Sequence, residues 1–204
     1  MGQDNYANDR MKVGIFGGSF NPIHLGHLLL AEQARDVLTL DRVLFIPASQ
    51  PPHKPSIGLA PAEARLRMVR LAIRDHAAFV ASDIELARPG PSYSIDTVTA
   101  LSRSLPKAAL FLLVGQDMLS VTWMGWDRLK RLCTVVAAGR PGARRARAQR
   151  GVRWLEIPPV DISSSDIRAR AAAGRSIRYL VPAAVERYIR QHRLYQPGED
   201  ASRW

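Results

Sequence analysis

Two histidines three residues apart, His24 and His27, follow a glycine-bearing stretch, Gly17-Gly18-Ser19-Phe20-Asn21-Pro22. Glycines let a backbone approach a ligand closely and turn its N–H groups toward an anion. A helix starting at Leu25 would aim its positive end at the same point, with both imidazoles on one side. Such a set suits the grip of a polyphosphate. The stretch lacks the Gly-Lys-Ser/Thr of a Walker loop and the Gly-x-Gly-x-x-Gly of dinucleotide-binding dehydrogenases. Metalloprotease zinc sites need His-Glu-x-x-His spacing, and no third ligand accompanies this pair, so no protein-held metal is expected.

A second group lies about 140 residues on: Asp161-Ile162-Ser163-Ser164-Ser165-Asp166-Ile167-Arg168. It offers hydroxyls and N–H groups at a helix start, followed by a guanidinium, and both suit phosphate oxygens. Taken alone it would read as a serine N-cap with a surface arginine. Between the two groups, Lys54 stands in a proline-rich segment, where a cation could close over phosphates.

These residues need a frame. Lys12–Phe16 reads as a short buried strand running into a glycine loop, and apolar spacing predicts a helix over Leu25–Leu38. Further strands are predicted at Val43–Ile46, Phe79–Ser82, Ala109–Val114, Thr134–Ala138 and Val152–Ile157. Helices are predicted near Pro61–Arg74, Ile95–Leu105, Trp126–Arg131, Ser164–Ala172 and Pro182–Gln191, with residues 48–60 as a long loop. Alternation of this kind predicts an α/β fold, a Rossmann-like, doubly wound parallel sheet with a small C-terminal helical portion. Ligands then bind at the carboxyl ends of the strands, where the strand order reverses. One domain is expected over 11–195, between a disordered leader (1–10) and a tail (196–204).

Composition agrees with a soluble chain of 204 residues that buries a core without staples. Its single cysteine, Cys133, excludes an internal disulfide and sits in an apolar run as core filler. No signal peptide or membrane span is visible, so the cytoplasm is the expected compartment. The net charge of +11 favours anionic partners. Six arginines from Arg140 to Arg153, with no acid among them, supply over half of it. That stretch interleaves no aromatics, so a nucleic-acid partner is disfavoured. Homo-oligomerisation stays open.

The stretch from Gly17 to His27 resembles the signature of the nucleotidylyltransferase superfamily, whose two histidines contact the phosphates of a nucleoside triphosphate. Residues 161–168 resemble its Ile-Ser-Ser-Thr-x-Ile-Arg signature, with Ser165 where threonine is usual. Pro51-Pro52-His53-Lys54, Pro91-Ser92-Tyr93-Ser94, Gly115-Gln116-Asp117 and Trp123-Met124-Gly125-Trp126 resemble segments of its bacterial nicotinate mononucleotide adenylyltransferases. The resemblance covers residues 11–195. It implies transfer of AMP from ATP to nicotinate mononucleotide with Mg²⁺, giving nicotinate adenine dinucleotide and pyrophosphate in NAD biosynthesis. ATP would then meet Gly17, Gly18, Ser19, Phe20, His24, His27, Ile162, Ser163, Ser164, Ser165 and Arg168, with His24, His27 and Arg168 serving catalysis.

On the same resemblance the mononucleotide would meet Lys54, Tyr93, Ser94, Asp117, Trp123 and Met124. The N–H of Ser94 would hold the nicotinate carboxylate, Asp117 the ribose, and Trp123 would stack on the pyridine ring. The stretch from Asp117 to Trp123 is about two residues shorter than the usual pattern, which leaves Trp126 as the alternative stacker. Other acceptors open at this point are pantetheine phosphate and nicotinamide mononucleotide. A basic nucleic-acid-binding protein is the rival of another class.

Overall fold

The computed structural model describes residues 10–52, 58–139 and 151–196. Residues 1–9 of the expected leader, 197–204 of the expected tail, Lys54, and five of the six arginines, those from Arg140 to Arg150, fall outside the described residues.

Six strands alternate with helices: β1 (Lys12–Gly18), α1 (Leu25–Leu38), β2 (Arg42–Pro47), α2 (Ala62–Ile73), β3 (Phe79–Ala81), α3 (Ser94–Ser104) and β4 (Ala109–Gly115). A 3₁₀ turn (Gln116–Ser120) follows, then α4 (Trp126–Leu132), β5 (Thr134–Gly139), β6 (Val152–Glu156), α5 (Ser164–Ala172) and α6 (Ala183–Gln191). All strand pairs are parallel, in the order β3-β2-β1-β4-β5-β6. The order reverses between β1 and β4, so the crevice for a ligand opens at Gly17–Gly18 and Gly115.

Period-2 alternation splits the buried side chains between two faces. Val13 and Ile15 pack with Ile95, Val98 and Leu101 of α3 and Leu129 of α4. Phe16 packs on the other face with Ala31 and Ala34 of α1, Met68 and Val69 of α2, Ile167 of α5 and Val185 and Ile189 of α6. Cys133 is buried in the first of these faces, and burial pushes its thiol up to about 12, as a core residue requires. No helix among the described residues is long and apolar enough to cross a membrane.

Two local features depart from the expectation. Gly17 and Gly18 extend β1 rather than opening a loop, because they pair with Ile46 and Pro47 of β2. The loop before α1 is therefore short, from Ser19 to His24. The 3₁₀ turn at Gln116–Ser120 carries no apolar period long enough to announce itself.

Candidate active site

His24 is the N-cap residue of α1, in an extended conformation, and His27 occupies the third helical position. They form a capping box: His27 Nδ1 accepts the His24 backbone N–H at 3.2 Å, while the His24 ring faces the backbone of His27. The rings consequently stack, with centroids 3.7 Å apart and an interplanar angle of 28°. Because Nδ1 of His27 accepts, its proton in the neutral ring sits on Nε2, which makes that atom a donor. Phe20 meets His27 edge-on at 5.1 Å and fixes its plane.

His24 is buried, with its ring stacked on that of His27. The glycine between the histidines has a steric cause. A Cβ on Gly26 would lie 3.1 Å from His24 Nδ1. Gly17, by contrast, faces open space, with nothing within 4 Å of the place a Cβ would take.

Helix α5 brings the second motif to the first. Ser164 Oγ donates to Pro22 O at 2.9 Å, and Arg168 Nη1 donates to Asn21 O at 2.9 Å. Arg168 Nη2 also reaches Ser165 Oγ at 3.2 Å, and Ser163 caps the helix by accepting the Asp166 N–H at 3.0 Å. The serine-cap reading of Ser163 thus holds together with the anion-site geometry. Ser163 caps its own helix and Ser164 joins it to the loop before α1, so the Ser164 and Ser165 N–H groups of α5 and the Arg168 guanidinium lie beside that loop. Ile162, just before this cap, is half-buried against the core.

At the other end of the crevice Tyr93 is the N-cap of α3 and Ser94 its first residue, so the Ser94 N–H belongs to the positive end of an 11-residue helix. Asp117 is exposed in the first turn after β4, and its carboxylate folds back over Gly115. Trp123 is half-buried, with Nε1 donating to Met118 O at 2.8 Å. Trp126 lies 5.7 Å away, and the Lys130 ammonium sits over its ring at 5.8 Å. Met124 between them is 54% exposed.

Three residues that sequence reading passed over hold this arrangement. Asn21 Nδ2 donates to Gly58 O at 2.8 Å, and its Oδ1 accepts from the Ala60 N–H at 3.0 Å and from the Tyr195 hydroxyl at 2.9 Å. Burial pushes the Tyr195 phenol well above its ordinary range, so it remains a donor. Arg65 of α2 is buried and donates to carbonyls of two loops, the one before α1 and both ends of the one between β2 and α2. Asn21 was visible only as a spacer inside the glycine stretch. Arg65 and Tyr195 sat in helical or terminal patterns and carried no local signal.

The chain matches the Cytidylyltransferase-like family over residues 15–170. A Thermus thermophilus protein named "Probable nicotinate-nucleotide adenylyltransferase" is 50% identical over 188 residues, covering 91% of this chain and 100% of that protein. One of the same name from Geobacter sulfurreducens is 46% identical over 212 residues, covering 91% of this chain and 98% of that protein. Among solved structures, Plasmodium falciparum nicotinic acid mononucleotide adenylyltransferase complexed with NaAD superposes with a TM-score of 0.77. It is 17% identical, and the match covers 91% of this chain and 98% of that chain. At that identity the structural likeness speaks for the fold, while the sequence relatives speak for descent. The chain belongs to the Cytidylyltransferase-like family, among its nicotinate-nucleotide adenylyltransferases.

Proposed function

We propose that the protein transfers AMP from ATP to nicotinate mononucleotide, releasing pyrophosphate and forming nicotinate adenine dinucleotide. The observation that carries this reading is the meeting of the starts of α1 and α5 through the Ser164–Pro22 and Arg168–Asn21 bonds.

In this reading the acceptor's phosphate oxygen attacks the α-phosphorus of ATP. The new O–P bond forms as the bond to the β-phosphate bridge breaks, and the electron pair leaves with pyrophosphate. The step needs positioning and charge stabilisation more than acid–base chemistry. His27 Nε2–H, the Arg168 guanidinium and the Ser164 and Ser165 N–H groups at the start of α5 supply donors where negative charge builds up. Buried His24 holds the His27 backbone and backs its ring. Lys54 is assigned to the mononucleotide on sequence grounds.

Among the described residues no group of three His, Cys, Asp or Glu side chains could cage an ion. Mg²⁺ fits as a companion of the triphosphate, with phosphate oxygens and water as ligands, where it would neutralise phosphate charge. At the acceptor end the Ser94 N–H faces the nicotinate carboxylate, Asp117 accepts from ribose hydroxyls, and Trp123 and Met124 flank the pyridine ring, with Tyr93 alongside. Trp123 rather than Trp126 is assigned the stack, since Lys130 already sits over the Trp126 face.

The test is direct. The protein is incubated with ATP, Mg²⁺ and, separately, nicotinate mononucleotide, nicotinamide mononucleotide and pantetheine phosphate, and the product is identified by mass. Nicotinate adenine dinucleotide as the main product is the expected result. Product only with pantetheine phosphate would overturn the reading.

A further inference from the structure

Behind the acceptor end lie two buried charges with no part in the chemistry described so far. Arg65 is 1% exposed and Glu85 is 6% exposed. Arg65 donates through Nε to Ala60 O at 2.8 Å, through Nη1 to Ser19 O at 2.9 Å and Ala48 O at 2.7 Å, and through Nη2 to Ser49 O at 3.3 Å. Each of these acceptors is a neutral carbonyl. Burial draws its pKa downward, yet a guanidinium in a protein keeps its charge. An apolar side chain would fill the same volume without the desolvation cost of a cation.

The opposite side of the same segment faces an anion. The N–H groups of Ser49 and Gln50 donate to Ser92 Oγ at 2.9 and 3.3 Å, and the Ser92 N–H returns to Gln50 O at 2.9 Å. With both lone pairs engaged, the Ser92 hydroxyl is left to donate, and it lies near enough to the buried Glu85 carboxyl to offset part of the rise that burial imposes on it. Thr97 Oγ1 gives Glu85 a second hydroxyl donor at 2.6 Å.

The peptide groups 48–49 and 49–50 therefore lie between opposite charges. Their C=O ends point to Arg65, and their N–H ends point to Ser92 and, behind it, Glu85. In a planar trans peptide these ends are opposed, so the charges on the two sides favour one orientation of each plane. Arg65 also turns the Ser19 carbonyl inward, which directs the Phe20 N–H away from it.

We propose that Arg65 and Glu85 are positioning residues that preset the acceptor end. They orient segment 48–50 and, through Ser92, the start of α3 with Tyr93 and Ser94. The inference rests on the adenylyl-transfer reading. The two arms differ in reach: Glu85 and Ser92 act on the acceptor end alone, whereas Arg65 also holds Ser19 of the phosphate loop.

The experiment measures kcat, both KM values and calorimetric affinities for nicotinate mononucleotide and ATP, with melting temperatures, in wild type, Ser92→Ala, Glu85→Gln and Arg65→Lys. Ser92→Ala and Glu85→Gln are expected to raise KM and Kd for the mononucleotide about tenfold, the scale of a lost charge-linked hydrogen bond, with ATP values nearly unchanged. Arg65→Lys, which cannot reach four carbonyls, is expected to weaken both substrates. If Glu85→Gln does not fold, Ser92→Ala decides, since it deletes one hydroxyl. A lower melting temperature with mononucleotide KM and Kd unchanged, or equal weakening of both substrates in Ser92→Ala, would overturn the proposal. A wild-type protein that binds ATP but forms no dinucleotide from the mononucleotide would overturn the adenylyl-transfer reading, and the inference with it.

Discussion

At the phosphate end, the loop before α1 is tied down largely by neutral groups: the Asn21 amide, the Tyr195 phenol, the Ser164 hydroxyl and backbone carbonyls. Two cations also reach it, half-buried Arg168 at Asn21 O and, from the shared side of the crevice, buried Arg65 at Ser19 O. At the acceptor end, segment 48–50 is held between a buried guanidinium and a buried carboxylate. Neutral braces cost little to bury when fully bonded, whereas buried charges carry a desolvation cost that strong geometry must offset. The groups proposed for the phosphate end come from two short motifs, while those proposed for the acceptor end come from several separated segments. The first end should therefore govern the rate of the chemical step and the second the affinity and choice of acceptor.

The sharpest way to break this division is His27→Ala. Loss of an Nε2–H donor placed where charge develops is expected to lower kcat by about 10²-fold or more. Steady-state pyrophosphate release at saturating substrates measures it. Near-normal turnover would remove His27 from the step, and a change confined to KM would place the phosphate end in the same class as the acceptor end.

The acceptor end makes a smaller prediction. The Ser94 N–H at the start of α3 favours an anionic substituent on the pyridine ring, through both a charged hydrogen bond and the helix dipole. Nicotinate mononucleotide should exceed the nicotinamide form in kcat/KM by about tenfold. Equal values, measured under the same conditions, would show that α3 does not choose the acceptor.

Much of this was legible in the sequence, and the division explains which part. The strand, glycine and helix order gave the parallel sheet, and α1 and α5 begin and end where apolar spacing and caps put them. His24, Gly26, His27, Ser163 and Arg168 lie within two short segments, so their types and spacing single them out as candidates, and the fold brings the two segments together. Arg65 and Glu85 act through backbone groups far away in sequence. Arg65 looked like any charged residue on an amphipathic helix, and Glu85 like part of a polar turn. Only the packing of α2 and α3 against the 48–50 segment gives them a shared task. The end of β1 was misplaced for a similar reason: Gly17 and Gly18 read locally as a turn, and pairing with β2 overrides that.

A milder change tests the neutral braces. Tyr195→Phe deletes one donor to Asn21 Oδ1, which keeps the Ala60 N–H as a partner. Since no buried acceptor is stranded, the cost should be about 1 kcal/mol of stability. Denaturant unfolding of the variant and wild type reads it. A loss several times larger would show that the C-terminal segment is a principal support of the phosphate loop rather than one tie among several.

The smallest effect separates the two kinds of brace by pH. Burial holds the Glu85 carboxyl above its ordinary value of 4.5, partly offset by the Thr97 and Ser92 hydroxyls and by Arg88, while Asp96 adds to the rise. Below that value both folded and unfolded chains carry the proton, and Glu85 adds no pH dependence. As pH rises through the window, the unfolded chain loses the proton first, so the unfolded state binds fewer protons and stability falls. Above the folded-state value the cost is complete and constant. Glu85→Gln removes this titration together with its charge. The melting temperature of Glu85→Gln minus that of wild type should therefore increase as pH goes from about 4 toward neutrality, whatever offset the lost hydrogen bonds impose. The corresponding difference for Tyr195→Phe should stay flat across the same range, because that phenol is protonated throughout. A flat difference for Glu85→Gln would mean that the carboxylate is not strained by burial, and the contrast between charged and neutral bracing would lose its physical basis.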